Sequence, residues 1–242
     1  ALVRSGTANR LMTFRTGYIE VLAAVADTPL ADQLLAGVAR YEGVHLIALT
    51  HQDVARRDPY FAEQGFAMQP TVELRRNLDT EQGPAQVRAT VARCQPGVMP
   101  EGRAQMLTHG TPEYIWLPGY DDHPNGVESL VDLLVVNEDP SEACDRYRRF
   151  SGCPADAGAD GEIGQVNLDR GWLSFVSPTG VSELLPDLEI PSLPFCAAIV
   201  LHAGDLGKTR RLLIERGVEA CIDEAGLVVV GPADAMGAYL IF

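Results

Sequence analysis

Apolar and polar positions along this chain fall into a unit that recurs. Residues 47–66 read as an apolar run, an Asp, a helix-length stretch and a Gly, and residues 134–153 and 200–218 repeat that order. The interval from Asp53 to Gly65 is 12 positions, from Asp139 to Gly152 it is 13, and from Asp205 to Gly217 it is 12. An acidic residue suits the start of a helix, and a Gly suits the left-handed position just past its end. Matched spacing of this kind marks one supersecondary unit used again. The alternative is chance, since strand–Asp–helix–Gly can arise in any α/β chain.

The remaining pattern fills in around the repeats. Residues 11–14 and 18–23 read as two strands joined by Arg15-Thr16-Gly17, a hairpin signal. Alternation in the second strand puts Tyr18, Glu20 and Leu22 on one face and Ile19 and Val21 on the other. Glu20 is thus a carboxylate in an apolar strand, where a charge needs a partner. Residues 27–41 predict a helix starting near Thr28-Pro29. Strands are predicted over 71–74, 86–94 and 103–108, then over 163–168 and 172–176, and finally over 226–230 and 238–242. Residues 116–126 and 177–194 carry turn residues and prolines and read as linkers. The unit is therefore strand, helix and three strands, βαβββ. The opening hairpin looks like the tail of an earlier copy whose strand and helix are absent. The expected fold class is α+β, with repeated βαβββ modules paired into two open, curved β-barrels and the first module incomplete at the N-terminus. The expected halves are 1–122 and 123–242.

Composition narrows the function classes. A chain of 242 residues with 46% hydrophobic and 21% charged residues is ordinary for a globular protein. A formal net charge of −14 argues against nucleic acid or an anionic membrane as partner. No apolar run has the length of a membrane span, and the expected location is cytoplasmic. The five Cys lack CxxC spacing and read as reduced thiols. The segment GADGEIG, 158–164, neither follows a strand nor opens a helix, so it makes no phosphate cradle. No GxSxG or HExxH occurs. The chain begins at Ala1 without Met, as if something upstream were missing.

The stretches GTANRLMTFRTGYIEVLA, TVELRRNL, QVRATV, LTHGTPEYIW and HPNG resemble the glyoxalase-like branch of the vicinal oxygen chelate superfamily. The resemblance covers residues 6–150 well and the rest mainly through architecture. It implies a divalent metal held inside a barrel by His and Glu of the first and last strands of each module. Such a metal chelates two neighbouring substrate oxygens and stabilises an enolate or activates O₂. Fe, Mn, Zn and Ni all suit imidazole and carboxylate, and having no metal at all stays open. Glu20 matches the last-strand Glu of the first module, as metal ligand and as catalytic base. The first-strand partner would lie upstream of Ala1, unless a partner chain supplies that strand. His109 lies at or beside the last-strand ligand position of the second module. His45 lies near the first-strand position, but counting back from Asp53 puts Leu46 there, and a one-residue shift turns a side chain to the opposite face. The same count gives Asp132 and Ala198 in the second half, whose last strands offer no carboxylate or His.

Other readings of these residues stand beside the first. Glu20 could instead pair with Arg10 or Arg15, and His109 could be a turn residue. One of Arg75 and Arg76 must face the barrel, where it would hold a carboxylate or phosphate bidentately or else pair with Glu20 or Glu73. Asn9, Trp116 and His123 complete the candidate substrate-binding set, with turn geometry the alternative for His123. His51 and His202 read as solvent-side or capping residues. Together these features predict a metal-dependent lyase or isomerase of a small oxygenated molecule, able to form a homodimer. The alternatives are a non-catalytic binding protein of the sequestration type, or a ring-cleaving dioxygenase. The bare second half counts against the dioxygenase.

Overall fold

The computed structural model describes residues 6–80, 83–158 and 161–242. Residues 1–5, where the chain begins, and two residues of the GADGEIG segment lie outside the described residues. Strands β1 (Thr7–Thr13) and β2 (Tyr18–Ala24) form the opening hairpin, with Leu11 opposite Glu20 and Thr13 opposite Tyr18. The turn closes through Phe14 N to Gly17 O at 3.0 Å, with Gly17 at φ 76°, a conformation open to Gly. Helix α1 (Pro29–Arg40) follows, its Thr28 hydroxyl accepting from Ala31 N at 3.2 Å.

Three chain segments then share one strand order. Strands β3 (Leu46–Thr50), β4 (Val72–Thr80), β5 (Gly83–Arg93) and β6 (Arg103–His109) make a four-stranded sheet in the order β3-β6-β5-β4. The next eight are β7 (Val127–Val136), β8 (Ala155–Ala157), β9 (Ile163–Leu168), β10 (Gly171–Val176), β11 (Phe195–Ala203), β12 (Ala220–Ile222), β13 (Val228–Val230) and β14 (Tyr239–Ile241). They form one open sheet in the order β12-β13-β14-β11-β7-β10-β9-β8, with β7 and β11 antiparallel at its centre. In every segment the first strand runs parallel to the last.

The repeat's helix differs among the copies for a local reason. Helices α3 (Pro140–Ser151) and α5 (Leu206–Glu215) are capped by Asp139, accepting from Glu142 N at 2.9 Å, and Asp205, accepting from Lys208 N at 2.8 Å. In the first copy the expected single helix is broken into a 3-10 turn, Val54–Arg56, and the short α2 (Asp58–Glu63). Pro59 lacks an N–H and its ring clashes with the preceding turn, so one continuous helix cannot pass through it. Asp53 makes no capping bond there and pairs with Arg56 at 3.2 Å. The second linker also differs from expectation, because it holds α4 (Pro178–Leu184), capped by Ser177.

Packing joins the halves. One buried cluster contains Phe61, Ala92, Ala104 and Met106 from the first half and Tyr147, Phe150 and Phe175 from the second. Phe61 and Phe150 stack with centroids 5.4 Å apart. Inside this apolar seam the Glu101 carboxylate takes two bonds of 2.8 Å from Arg146 and one of 2.9 Å from Asn137. Paired hydrogen bonds of this kind are what allow a charge to be buried. The other face of the eight-stranded sheet, carrying Val136, Val176 and Ala198, is covered by Val181, Leu185 and Tyr41. The interior of the second half is thus largely filled by its own linker.

Candidate functional site

Strand alternation sorts the first half into two faces. On β6, Ala104 and Met106 enter the apolar seam, so Arg103, Gln105, Leu107 and His109 point the other way. Antiparallel pairing adds Arg93, opposite Gln105, and Ala89, opposite His109. On β4 the pairing of Arg76 with Val87 puts Arg76 on this same face and Arg75 on the other. In the hairpin Ile19 packs into the second half, so Tyr18, Glu20 and Leu22 point away from it, beside Asn9, Leu11 and Thr13.

These two faces oppose each other, and together they define a candidate cup. Asn9 joins them: its Nδ2 donates to the Glu20 carboxylate, and its Oδ1 accepts from Arg76 Nη1 at 2.9 Å. Tyr18 lies edge-on to His109 at 6.0 Å, and the Trp116 ring stands at 89° to His109, 5.2 Å away. Trp116 is fixed by its own Nε1, which donates to Phe14 O at 2.8 Å. Both His109 nitrogens are shielded from solvent and lack a hydrogen-bond partner, as do Gln105 Oε1 and Arg93 Nε. Burial pushes the His109 pKa below its ordinary value, so the imidazole is neutral at pH 7. Burial, then the Glu20 charge, pushes the Tyr18 hydroxyl up to about 12. Unpaired polar groups in a protein interior are destabilising, and several on one face mark a candidate ligand site.

The remaining candidates lie elsewhere. His45, just before β3, is turned away from the cup, its Nε2 2.8 Å from Tyr41 O and its ring 4.2 Å from the Tyr41 ring. The parity of the strand explains this: Leu46, opposite Arg103, faces the cup. Arg75 pairs with Glu73 at 2.9 Å on the outer, exposed face. His123 packs on Phe14 and its Nε2 lies 2.7 Å from Thr13 O, bracing the hairpin turn. Arg15 pairs with Glu128 and leaves Glu20 to Asn9. Gln105, Arg93 and Arg103 were not picked out from sequence. The signal available was RAQMLTH, where a polar residue recurs at every second position except Leu107.

A metal centre of the kind the resemblance implies needs three or more protein donors. Among the described residues no three His, Cys, Asp or Glu side chains come together for one. Glu20 and His109 face the cup, His45 faces away, and Leu46 occupies the first-strand position. The described residues therefore do not fit a metal on their own. In the second half Asp132 faces Ser174, whose Oγ donates at 2.6 Å, while its other oxygen is unpaired; burial raises its pKa.

A repeated βαβββ strand order, with polar groups converging inside the first half, defines the class of protein. A family model described as a glyoxalase-like domain matches residues 2–150. A hypothetical protein from Staphylococcus aureus has a similar fold, with 12% identity and a TM-score of 0.69, covering 99% of this chain and 86% of the other. A mutant of 4-hydroxymandelate synthase from Streptomyces coelicolor is similar at 14% identity and a TM-score of 0.56, covering 99% of this chain and 80% of the other. No curated protein matches this chain. The chain belongs to the glyoxalase-like domain family of the vicinal oxygen chelate superfamily.

Proposed function

We propose that the hairpin and the four-stranded sheet are the two walls of one substrate cup, in a half spanning 1–122, and that this cup works as a lyase or isomerase on a small oxygenated molecule. The half spanning 123–242 then serves as its support. The observation that carries this reading is a carboxylate, Glu20, oriented by Asn9 on one face, with His109 and Gln105 left without partners on the opposed face. Glu20 follows Tyr18 by two residues, about 7 Å along a strand, and Tyr18 touches His109. A small molecule spans that interval.

The chemistry follows from the protein's own groups. The Glu20 carboxylate removes a proton from a carbon next to a carbonyl, and the electron pair moves onto the carbonyl oxygen. A neutral imidazole has one N–H to give, and His109 donates it to that oxygen as the charge develops. Protonated Glu20 then returns the proton to the same carbon, on either face, which re-forms the carbonyl and regenerates the carboxylate. Asn9 keeps the carboxylate aimed, and Arg76 keeps Asn9 in place. Tyr18 and Trp116 exclude water from the imidazole.

Proton exchange in D₂O tests this reading on a panel of small carbonyl compounds, including pyruvate and hydroxyacetone. The wild type speeds loss of the C–H signal for at least one of them, and Glu20→Gln slows that by about 100-fold or more. Saturable binding without any exchange would instead support the sequestration reading.

A further inference from the structure

The far end of the same cup carries an arrangement that the proton-transfer step does not use. Arg93 and Gln105 are cross-strand partners, and Arg103 lies two residues before Gln105 on the same face. Both arginines are half-buried. The chain has 33 acidic residues against 19 basic ones, yet among the described residues neither guanidinium has a carboxylate within ion-pair distance. Burial lowers the pKa of both, and for Arg103 the neighbouring Arg93 charge lowers it further while Glu20 opposes. Glu20 is felt there as a charge and makes no ion pair. Two like charges held together at half-buried positions are unfavourable until an anion lies between them.

Gln105 adds the second half of the recognition. Its Oε1, shielded and unpaired, is an acceptor beside two donors. We infer that Arg93 and Arg103 clamp the carboxylate of a small substrate, and that Gln105 Oε1 accepts from a hydroxyl on the carbon next to that carboxylate. A guanidinium fork matches a carboxylate with two parallel bonds. This inference rests on reading the hairpin and sheet as walls of one cup, and it adds the substrate class: a carbonyl compound that also carries a carboxylate with a hydroxyl on the next carbon, extended enough to reach from the arginines to the imidazole. Gln105 and His109 are four residues apart, about 13 Å along the strand. The carboxylate end and the imidazole end are therefore distinct positions, with Glu20 between them.

Calorimetric titration of the whole chain tests it, with lactate, propionate and inorganic phosphate as probes. Lactate should bind saturably with a Kd on the order of 1 mM, and propionate, which lacks the hydroxyl, several-fold more weakly. Arg93→Gln and Arg103→Gln should each weaken lactate by about tenfold, while Arg216→Gln, on the opposite half, should not change it. Gln105→Leu should erase the preference for lactate over propionate. Arg93→Lys retains the charge and loses the fork; a folded Arg93→Lys that still binds, but more weakly, supports the clamp if Arg93→Gln does not fold. Absence of saturable binding to the wild type, or lactate binding unchanged in the folded arginine variants, overturns the proposal. Tighter binding of phosphate than of either carboxylate overturns the carboxylate assignment. The two readings fail separately: lactate binding without proton exchange on any carbonyl compound removes the proton-transfer function and leaves the clamp. Exchange on hydroxyacetone without lactate binding does the reverse.

Discussion

Replacing His109 by Phe should make the ligand-free protein more stable, because the imidazole is held where neither nitrogen has a partner. A neutral imidazole carries one donor and one acceptor, and leaving each unsatisfied in a protein interior is unfavourable by about 1–3 kcal/mol. Phenyl keeps the edge-on contacts with Tyr18 and Trp116. The two groups together come to about 2–6 kcal/mol and the extra bulk costs about 1–3 kcal/mol, so the central net gain is about 2 kcal/mol. For a chain of this size that is about 4–8 °C in Tm, at about 2–4 °C per kcal/mol. The pH dependence gives a second, independent sign. The folded pKa of His109 lies below its ordinary value of 6.5, so the unfolded chain takes up the proton first as pH falls. Stability contributed by the neutral imidazole is complete above 6.5 and is lost as pH drops below it toward the folded value. The advantage of His109→Phe should therefore widen below pH 6.5. Urea unfolding of both proteins from pH 8 to pH 5 measures both effects. A variant less stable than the wild type by 1 kcal/mol or more at pH 7, with a gap that does not move with pH, would refute the reasoning. His109 would then be a satisfied structural residue.

Two further outcomes test the scaffold. Glu101→Ala removes a carboxylate whose side chain is 0% exposed and leaves Arg146 with Glu142 alone, itself 53% exposed; a loss of about 3–5 kcal/mol is expected in urea unfolding. A loss below about 1 kcal/mol would show that the seam between the halves tolerates an unpaired Arg146. Asp132 is raised above its ordinary 3.8 by burial, so its ionisation subtracts stability as pH rises through the folded value. Asp132→Asn should be more stable than the wild type at pH 7 by about 1–3 kcal/mol, with the difference shrinking as pH falls toward 3.8.

What the sequence carried, and what it did not, divides by range. Local signals were sufficient for the hairpin at Arg15-Thr16-Gly17, for the parity that puts Glu20 beside Tyr18, and for helix starts at Asp139 and Asp205, where one side chain satisfies one backbone N–H. The unbroken helix expected after Asp53 failed on Pro59, a signal present in the sequence but outweighed by the repeat. His45 shows how narrow the margin is in a strand: one residue of register separates the cup from the packing beneath α1. Arg93, Gln105 and Arg103 were not readable at all as a group. Alternating polar residues on a strand also describe a solvated face, and only the meeting of hairpin and sheet encloses them. The same tertiary closure distinguishes Arg76, tied to Asn9 across the cup, from Arg75, tied to Glu73 outside it.

The first half presents a buried, neutral imidazole without a protein partner between hairpin and sheet. Nitrogen-15 NMR of protein labelled only at its five His tests it most directly, with His109→Phe assigning the signal. The shifts of the two ring nitrogens report protonation and hydrogen bonding separately. The claim predicts one imidazole that is still neutral below pH 6.5 and whose nitrogens have the shifts of unbonded groups. An imidazole at His109 that takes its proton at or above 6.5, or that shows a hydrogen-bonded nitrogen in the ligand-free protein, would contradict it.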